Sequence, residues 1–285
     1  MQKIVLPQKV TFKKGGEDFT GQIIIEPCYP GYGTTMGNSF RRVLLSSLKG
    51  AAVIGVKING ADHEFTTVPD VEDILEIILN LKGLRMKFFG ENDEIVKLEL
   101  RASGEKKATA GDIAKNSKIE IINEDLHIAD ITDKKGKLEM DIYVASGYGY
   151  SSIEGRKTQD KEVGYIEVDS IFSPVKAVKV GIENVRVGQM TDWEKLIIDI
   201  KTDGTIDCTN AFKQAADILV EQFSFVLDET KKELGEETED NSKIESEIKA
   251  EKKPASKAEK IKNKKNKEET EEGDLEKGKE QEDNK

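Results

Sequence analysis

Residues 26–50 read Glu26-Pro27-Cys28-Tyr29-Pro30-Gly31-Tyr32-Gly33-Thr34-Thr35-Met36-Gly37-Asn38-Ser39-Phe40-Arg41-Arg42-Val43-Leu44-Leu45-Ser46-Ser47-Leu48-Lys49-Gly50. A Pro/Gly loop runs here into a helix that is apolar along one side and carries an Arg-Arg pair. Gly31 and Gly33 permit backbone angles closed to other residues, so a tight loop is expected. Thr34 or Thr35 is placed to cap the helix. Met36, Phe40, Val43, Leu44 and Leu48 recur at helical spacing on one face, and Gly50 is the expected stop just past the last turn. Gly37 costs up to ~1 kcal/mol relative to Ala inside a helix, which makes sense if another backbone comes close there. Arg41 and Arg42 point about 100° apart, so they cannot share one role. From spacing alone, solvated surface charge and contact residue are equal readings of the pair. No catalytic set accompanies the segment, which reads as an assembly surface rather than an active site.

Working outward, the chain reads as mixed α and β. Gln22–Glu26 is a short strand before the loop. Ala51–Ile58 and His63–Thr66 flank Asn59-Gly60, a dipeptide that favours a tight hairpin turn. Asp70 is placed to cap a helix running to Lys82, with Ile74, Ile77, Ile78 and Leu81 on its buried face and Gly83 after it. Val96, Leu98 and Leu100 alternate with Lys97 and Glu99, as in a half-buried strand. Residues 138–145 and 163–169 are strand-like. Residues 175–186 and 195–202 form a later pair, and Thr202-Asp203-Gly204 turns the chain. A last helix spans about 209–228, with Phe212, Ala215, Ala216, Leu219, Phe223 and Val226 on one stripe. Burying each large side chain is worth roughly 1.5–3 kcal/mol, so the stripe must be covered, by the chain's own sheet or by a second helix. From about Leu227 the text turns rich in Lys, Glu and Asp with no aromatic residue. Residues 231–285 cannot bury enough apolar surface to offset chain entropy and are expected to be disordered or transiently helical.

Composition narrows the function classes. The chain has 285 residues, a net charge of −11 and 2 Cys. Cys28 and Cys208 form neither a metal-ligand spacing nor a disulfide framework, as expected in a reducing compartment. No apolar run is long enough to span a membrane, and no signal peptide is evident. His63 and His127 are the only histidines, and neither stands in a zinc-hydrolase pattern. Gly31-Tyr32-Gly33 and Gly147-Tyr148-Gly149-Tyr150 are not phosphate loops, because no Lys-Ser/Thr pair follows. No Asp-rich loop of the kind that holds polymerase magnesium is visible. A stand-alone enzyme is disfavoured by these absences. A nucleic-acid module acting through Lys252–Lys267 is disfavoured by the flanking acidic runs and a pI near 5.0.

The 26–50 segment resembles the N-terminal signature of the bacterial-type RNA polymerase α subunit. Further motifs of that family follow in order: His63-Glu64-Phe65, residues 71–83 ending Asn80-Leu81-Lys82-Gly83, Asp125-Leu126-His127-Ile128-Ala129, Ile171-Phe172-Ser173-Pro174-Val175, Glu183-Asn184-Val185-Arg186-Val187-Gly188-Gln189, and Thr202-Asp203-Gly204-Thr205-Ile206. The resemblance covers about residues 1–230. It implies an α+β fold: a discontinuous dimerisation domain, 1–49 and 169–230, of sheet plus two packed helices, with an inserted mixed α/β domain at 50–168 and a disordered charged tail at 231–285. It implies a non-catalytic subunit that pairs with a second copy and serves as platform for the β and β′ subunits in DNA-templated transcription. Met36, Phe40, Leu44, Phe212, Ala215, Leu219, Phe223 and Val226 would then face the second copy. Arg42, with Arg41 the weaker candidate, would engage β, and Lys82 and Ser173-Pro174-Val175 would contact the large subunits. No cofactor is expected on this chain, since the catalytic Mg would lie on another subunit. DNA would be met only through the assembled complex, in a bacterial cytoplasm or a plastid. Gly147-Tyr148-Gly149-Tyr150 and Gln189-Met190-Thr191-Asp192 each lack a cation usual in the family. The usual C-terminal DNA-binding domain is not recognisable in residues 231–285.

Overall fold

The computed structural model describes residues 4–90, 94–156 and 163–234. The expected charged tail lies almost wholly outside the described residues. In chain order the elements are β1 (Lys9–Lys14), β2 (Thr20–Cys28), α1 (Tyr32–Ser46), β3 (Lys49–Ile58), α2 (Ile74–Leu81), β4 (Met86–Phe88), β5 (Val96–Ser103), β6 (Lys106–Thr109), β7 (Ile119–Ile121), β8 (His127–Ile131) and β9 (Lys137–Tyr148). They continue with β10 (Tyr150–Ser151), β11 (Tyr165–Glu167), β12 (Ser170–Ile171), β13 (Val175–Val187), β14 (Met190–Thr202) and α3 (Cys208–Glu233). The class is mixed sheet and helix.

One four-stranded antiparallel sheet runs β1-β2-β14-β13, so its strands come from the two ends of the described chain. The strands alternate faces, and Ile23 and Ile25 of β2 meet Leu196, Ile198 and Ile200 of β14 in one buried cluster. α1 covers this cluster with Leu44, Leu48 joins it from just past the helix end, and the first turns of α3 cover it with Ala211, Phe212 and Ala215. A second sheet runs β11-β3-β9-β5. Its core spans residues Val53 to Val168 and takes in Ile74, Ile77, Ile78 and Leu81 of α2. Strict burial of every second residue along β5 matches its sequence alternation. The compact body comprises residues through Gln222, and α3 continues as helix to Glu233.

Three local expectations are corrected. Asn59-Gly60 does turn the chain, but 63–66 forms no strand. Thr66 N–H instead closes a turn on His63 O at 3.1 Å. The edge of β3 is taken by β11, with Tyr165 opposite Lys57 and Glu167 opposite Gly55. Asp62-His63-Glu64 offers the sheet no apolar residue, whereas Ile166 is buried between its neighbours. Asp70 caps nothing. It sits at φ 65° in a turn, Val71 bridges Ile131, and Glu72 N–H bonds Asp130 O at 3.0 Å. Residues 71–72 are thus committed to sheet pairing, and α2 begins only at Ile74. Gly50 does not stop α1 but lies in β3, where an added Cβ would fall 1.8 Å from the Phe172 carbonyl oxygen.

Candidate assembly surface

The helix that carries the Arg pair is held by a residue far away in sequence. Gly31, at φ 85°, turns the chain into α1, and no side chain within the helix caps it. Thr34 and Thr35 therefore do not cap; the Thr35 hydroxyl bonds Gly31 O at 3.2 Å instead. The Glu194 carboxylate of β14 fills the role. Gly31 N–H donates to its Oε1 and Gly33 N–H to its Oε2, each at 2.8 Å. Both are amides that a helix start leaves without intrahelical partners, and a carboxylate there also complements the helix dipole. An added Cβ on Gly33 would lie 2.6 Å from Oε2. At Gly37 the close approach comes from side chains rather than backbone, with Val180 Cγ1 at 2.6 Å and Leu196 Cδ1 at 2.9 Å from an added Cβ.

At the far end of α1, the Ser173 hydroxyl lies 3.0 Å from Leu45 O, a carbonyl of the last turn. Pro174 O accepts from Asp203 N–H at 3.0 Å, and Val175 is buried in the sheet core. Ser173-Pro174-Val175 thus lies against the end of the Arg-bearing helix, with the Val175 side chain turned inward. Arg41 and Arg42 are both exposed, and among the described residues neither guanidinium has a side-chain hydrogen bond or ion pair. Lys82 belongs to the other core. Its Nζ pairs with Asp169 at 3.4 Å, and the Ile153 N–H together with this ammonium holds the Asp169 carboxyl below its ordinary range. The pair borders a groove of about 500 Å³ lined in part by Phe65, Leu75 and Ile153.

The apolar stripe divides into a covered and an open part. Leu44 and Ala215 have no exposed surface and pack the chain's own core. Phe212 is also buried, stacked on Phe40 at 4.4 Å between ring centroids and met edge-on by Phe12 at 6.1 Å. Met36 and Leu219 are half-buried. Beyond them Phe223 is 66 % and Val226 60 % exposed, with Val220, Phe225 and Leu227 similarly open. Of the residues expected to face a second copy, Met36, Phe40 and Leu219 are half-buried and Phe223 and Val226 are exposed.

Sequence reasoning misses Glu194 and also Arg156. The Arg156 guanidinium donates to Ile54 O at 2.9 Å, Ser151 O at 3.1 Å and the buried Ser170 Oγ at 2.6 Å, tying the β10 and β12 ribbon to β3. The histidines have local partners: His127 Nε2 lies 3.2 Å from Glu72 Oε2, and His63 Nδ1 accepts from Phe65 N–H at 3.2 Å. Cys28 and Cys208 are free thiols, pushed up in pKa mainly by burial. Among the described residues no cluster of His, Cys, Asp or Glu is arranged to hold a metal ion, and no helix is long and apolar enough to cross a membrane.

Among the described residues, exposed cations without side-chain partners on α1 and exposed apolar side chains on α3 are the kinds of group an interface uses. Residues 56–173 match the family model described as the RNA polymerase Rpb3/RpoA insert domain. The chain is 44 % identical over 222 residues to the DNA-directed RNA polymerase subunit alpha of Alkaliphilus oremlandii (strain OhILAs), covering 78 % of this chain and 69 % of that protein. Subunits of the same name are 47 % identical over 221 residues in Carboxydothermus hydrogenoformans, covering 77 % and 70 % of the two chains. In Symbiobacterium thermophilum the figure is 46 % over 228 residues, covering 78 % and 71 %. The chain belongs to the family of bacterial DNA-directed RNA polymerase α subunits. A member of that family is part of a nucleotidyltransferase complex.

Proposed function

We propose that this chain is the non-catalytic platform of its polymerase: it pairs with a second copy of itself, and the pair recruits the β and then the β′ subunit. Residues 1–49 and 169–230 form the dimerising part in this reading, and 50–168 the inserted part. The second copy would cover Phe223 and Val226 on the open end of α3, and also Met36, Phe40 and Leu219. The catalytic Mg would belong to another subunit, DNA would be met only through the assembled enzyme, and the site of action is the cytoplasm.

The observation that carries the reading is the Arg41–Arg42 pair. Among the described residues, two guanidinia stand without side-chain partners on a helix anchored at its start by Glu194 and touched at its end by Ser173. The planar fork of Arg suits carboxylates and backbone carbonyls across an interface, and buried interface Arg residues often cost at least ~2 kcal/mol when truncated. Arg42 is the principal β contact in this reading; Lys82 and Ser173-Pro174-Val175 meet the large subunits elsewhere. The test is capture of the β subunit by the full chain, wild type beside Arg42→Ala. The expected outcome is an unchanged dimer with β capture weakened by roughly tenfold or more. Undiminished capture by a dimeric Arg42→Ala chain would remove Arg42 from the contact.

A further inference from the structure

We infer that Glu194 is the positioning residue for the Arg41–Arg42 pair. Its carboxylate is divided between two amides of the α1 start, 163 and 161 positions away in sequence, at 2.8 Å each. The surroundings are built to admit it. A Cβ on Gly33 would fall 2.6 Å from Oε2 and push the carboxylate aside, and Gly31 supplies the left-handed turn that aims its own N–H at Oε1. On β14, Glu194 stands at a break in register: it faces Cys28, while the next paired residue, Leu196, faces Ile25. Such irregularities re-aim a side chain. Leu196 in turn touches α1 at Gly37, so one strand holds the helix at two successive points.

The Arg side chains touch none of this. Arg42 lies nine residues beyond Gly33, roughly 13 Å along the axis at 1.5 Å per residue. Influence must therefore pass through the helix as a rod. Freeing its first turn would let α1 fray and tilt, because helix starts open first where their amides lack acceptors. The aromatic contacts of the same loop, Tyr29 with Trp193 at 5.9 Å and with Tyr32 at 6.0 Å, do not involve the carboxylate. They would keep the loop collapsed when the carboxylate is removed, so the loss is expected to be local.

The final step, from helix position to β capture, rests on the contact proposed above for Arg42. The experiment uses the full chain as wild type, Glu194→Ala, Glu194→Gln and Arg42→Ala. It reads hydrogen exchange by mass in the peptides 30–36 and 37–45, and capture of the β subunit. Glu194→Ala is expected to speed exchange in both peptides about tenfold, to leave β13 and β14 as protected as in wild type, and to lower capture severalfold. Glu194→Gln keeps one acceptor oxygen and presents an NH2 to the second amide, so it should fall between. Wild-type exchange in 30–36 for Glu194→Ala would overturn the inference. So would faster exchange with undiminished capture, if Arg42→Ala does lose capture. Should Arg42→Ala capture normally, the contact reading fails on its own; exchange in 37–45 then decides, and a wild-type value there overturns the positioning role.

Discussion

The core between Val53 and Val168 and the sheet of β1, β2, β14 and β13 handle apolar surface in opposite ways. In the first, β5 buries every second residue, α2 buries Ile74, Ile77, Ile78 and Leu81, and the sheet finds its covering within the same chain. Its open apolar residues are spread along the chain, among them Phe65, Phe89 and Ile95, with Leu75 and Leu79 one turn apart on α2. In the second, α1 and the first turns of α3 close one cluster, and then Val220, Phe223, Phe225, Val226 and Leu227 follow uncovered, crowded into little more than two turns of one helix. An apolar run of that density in water is costly, and the second copy proposed above would remove the cost. The difference teaches that burial for folding and burial for assembly are built from the same residue types. They are told apart by whether the chain itself supplies the covering.

The largest expected effect lies in the closed core. Leu100→Ala removes a side chain with no exposure and should cost about 2–5 kcal/mol, read as a lower denaturation midpoint with self-association unchanged in the folded fraction. If the folded Leu100→Ala chain loses its partner copy, the two regions are not separable in this way. Next comes the open stripe. Phe223→Asp should weaken self-association by about 1.5–3 kcal/mol for each ring uncovered, roughly ten- to 150-fold in dissociation constant per ring. Leu79→Asp, equally a substitution of an exposed apolar residue, should leave self-association as it was. Equal effects from both would erase the distinction.

The smallest effect is electrostatic and belongs to the closed region. Hydrogen bonds from the Lys106 ammonium and then from the Thr109 N–H hold the Asp112 carboxyl below its ordinary pKa. A folded-state pKa below the unfolded value, about 3.9 for Asp, adds stability that is present above that value and lost as pH falls through the folded one. Asp112→Asn should therefore be modestly less stable than wild type at neutral pH, with the gap closing below about pH 4. A gap that stays constant into acid would mean that the carboxylate charge does not matter there.

What the sequence discloses follows from the range of each interaction. The apolar side of α1, the Arg pair and the alternation of β5 are legible because their signals repeat within a few residues. The α3 stripe is legible as a stripe, but not where its covered part ends. Phe40 and Phe12, which close its first turns over Phe212, come from other parts of the chain. Local rules fail where a distant group outbids them. The Asn59-Gly60 turn is real, yet β3 pairs with β9 on one side and with β11, more than a hundred residues on, on the other. Thr34 and Thr35 satisfy the capping rule, yet Glu194 takes the amides from 163 positions away. Asp70 satisfies it too, yet the pairing of Val71 with Ile131 delays the helix. Nothing in Asp192-Trp193-Glu194-Lys195 marks Glu194 as an anchor, since its significance depends on a register break that only the folded sheet has.

The central claim is that the open face of α3 is covered by a second copy of the chain, and the most direct test is the mass of the full chain in solution. Sedimentation equilibrium at micromolar concentration should give twice the chain mass of 31.7 kDa. A single species of 31.7 kDa persisting into the high-micromolar range would contradict the account.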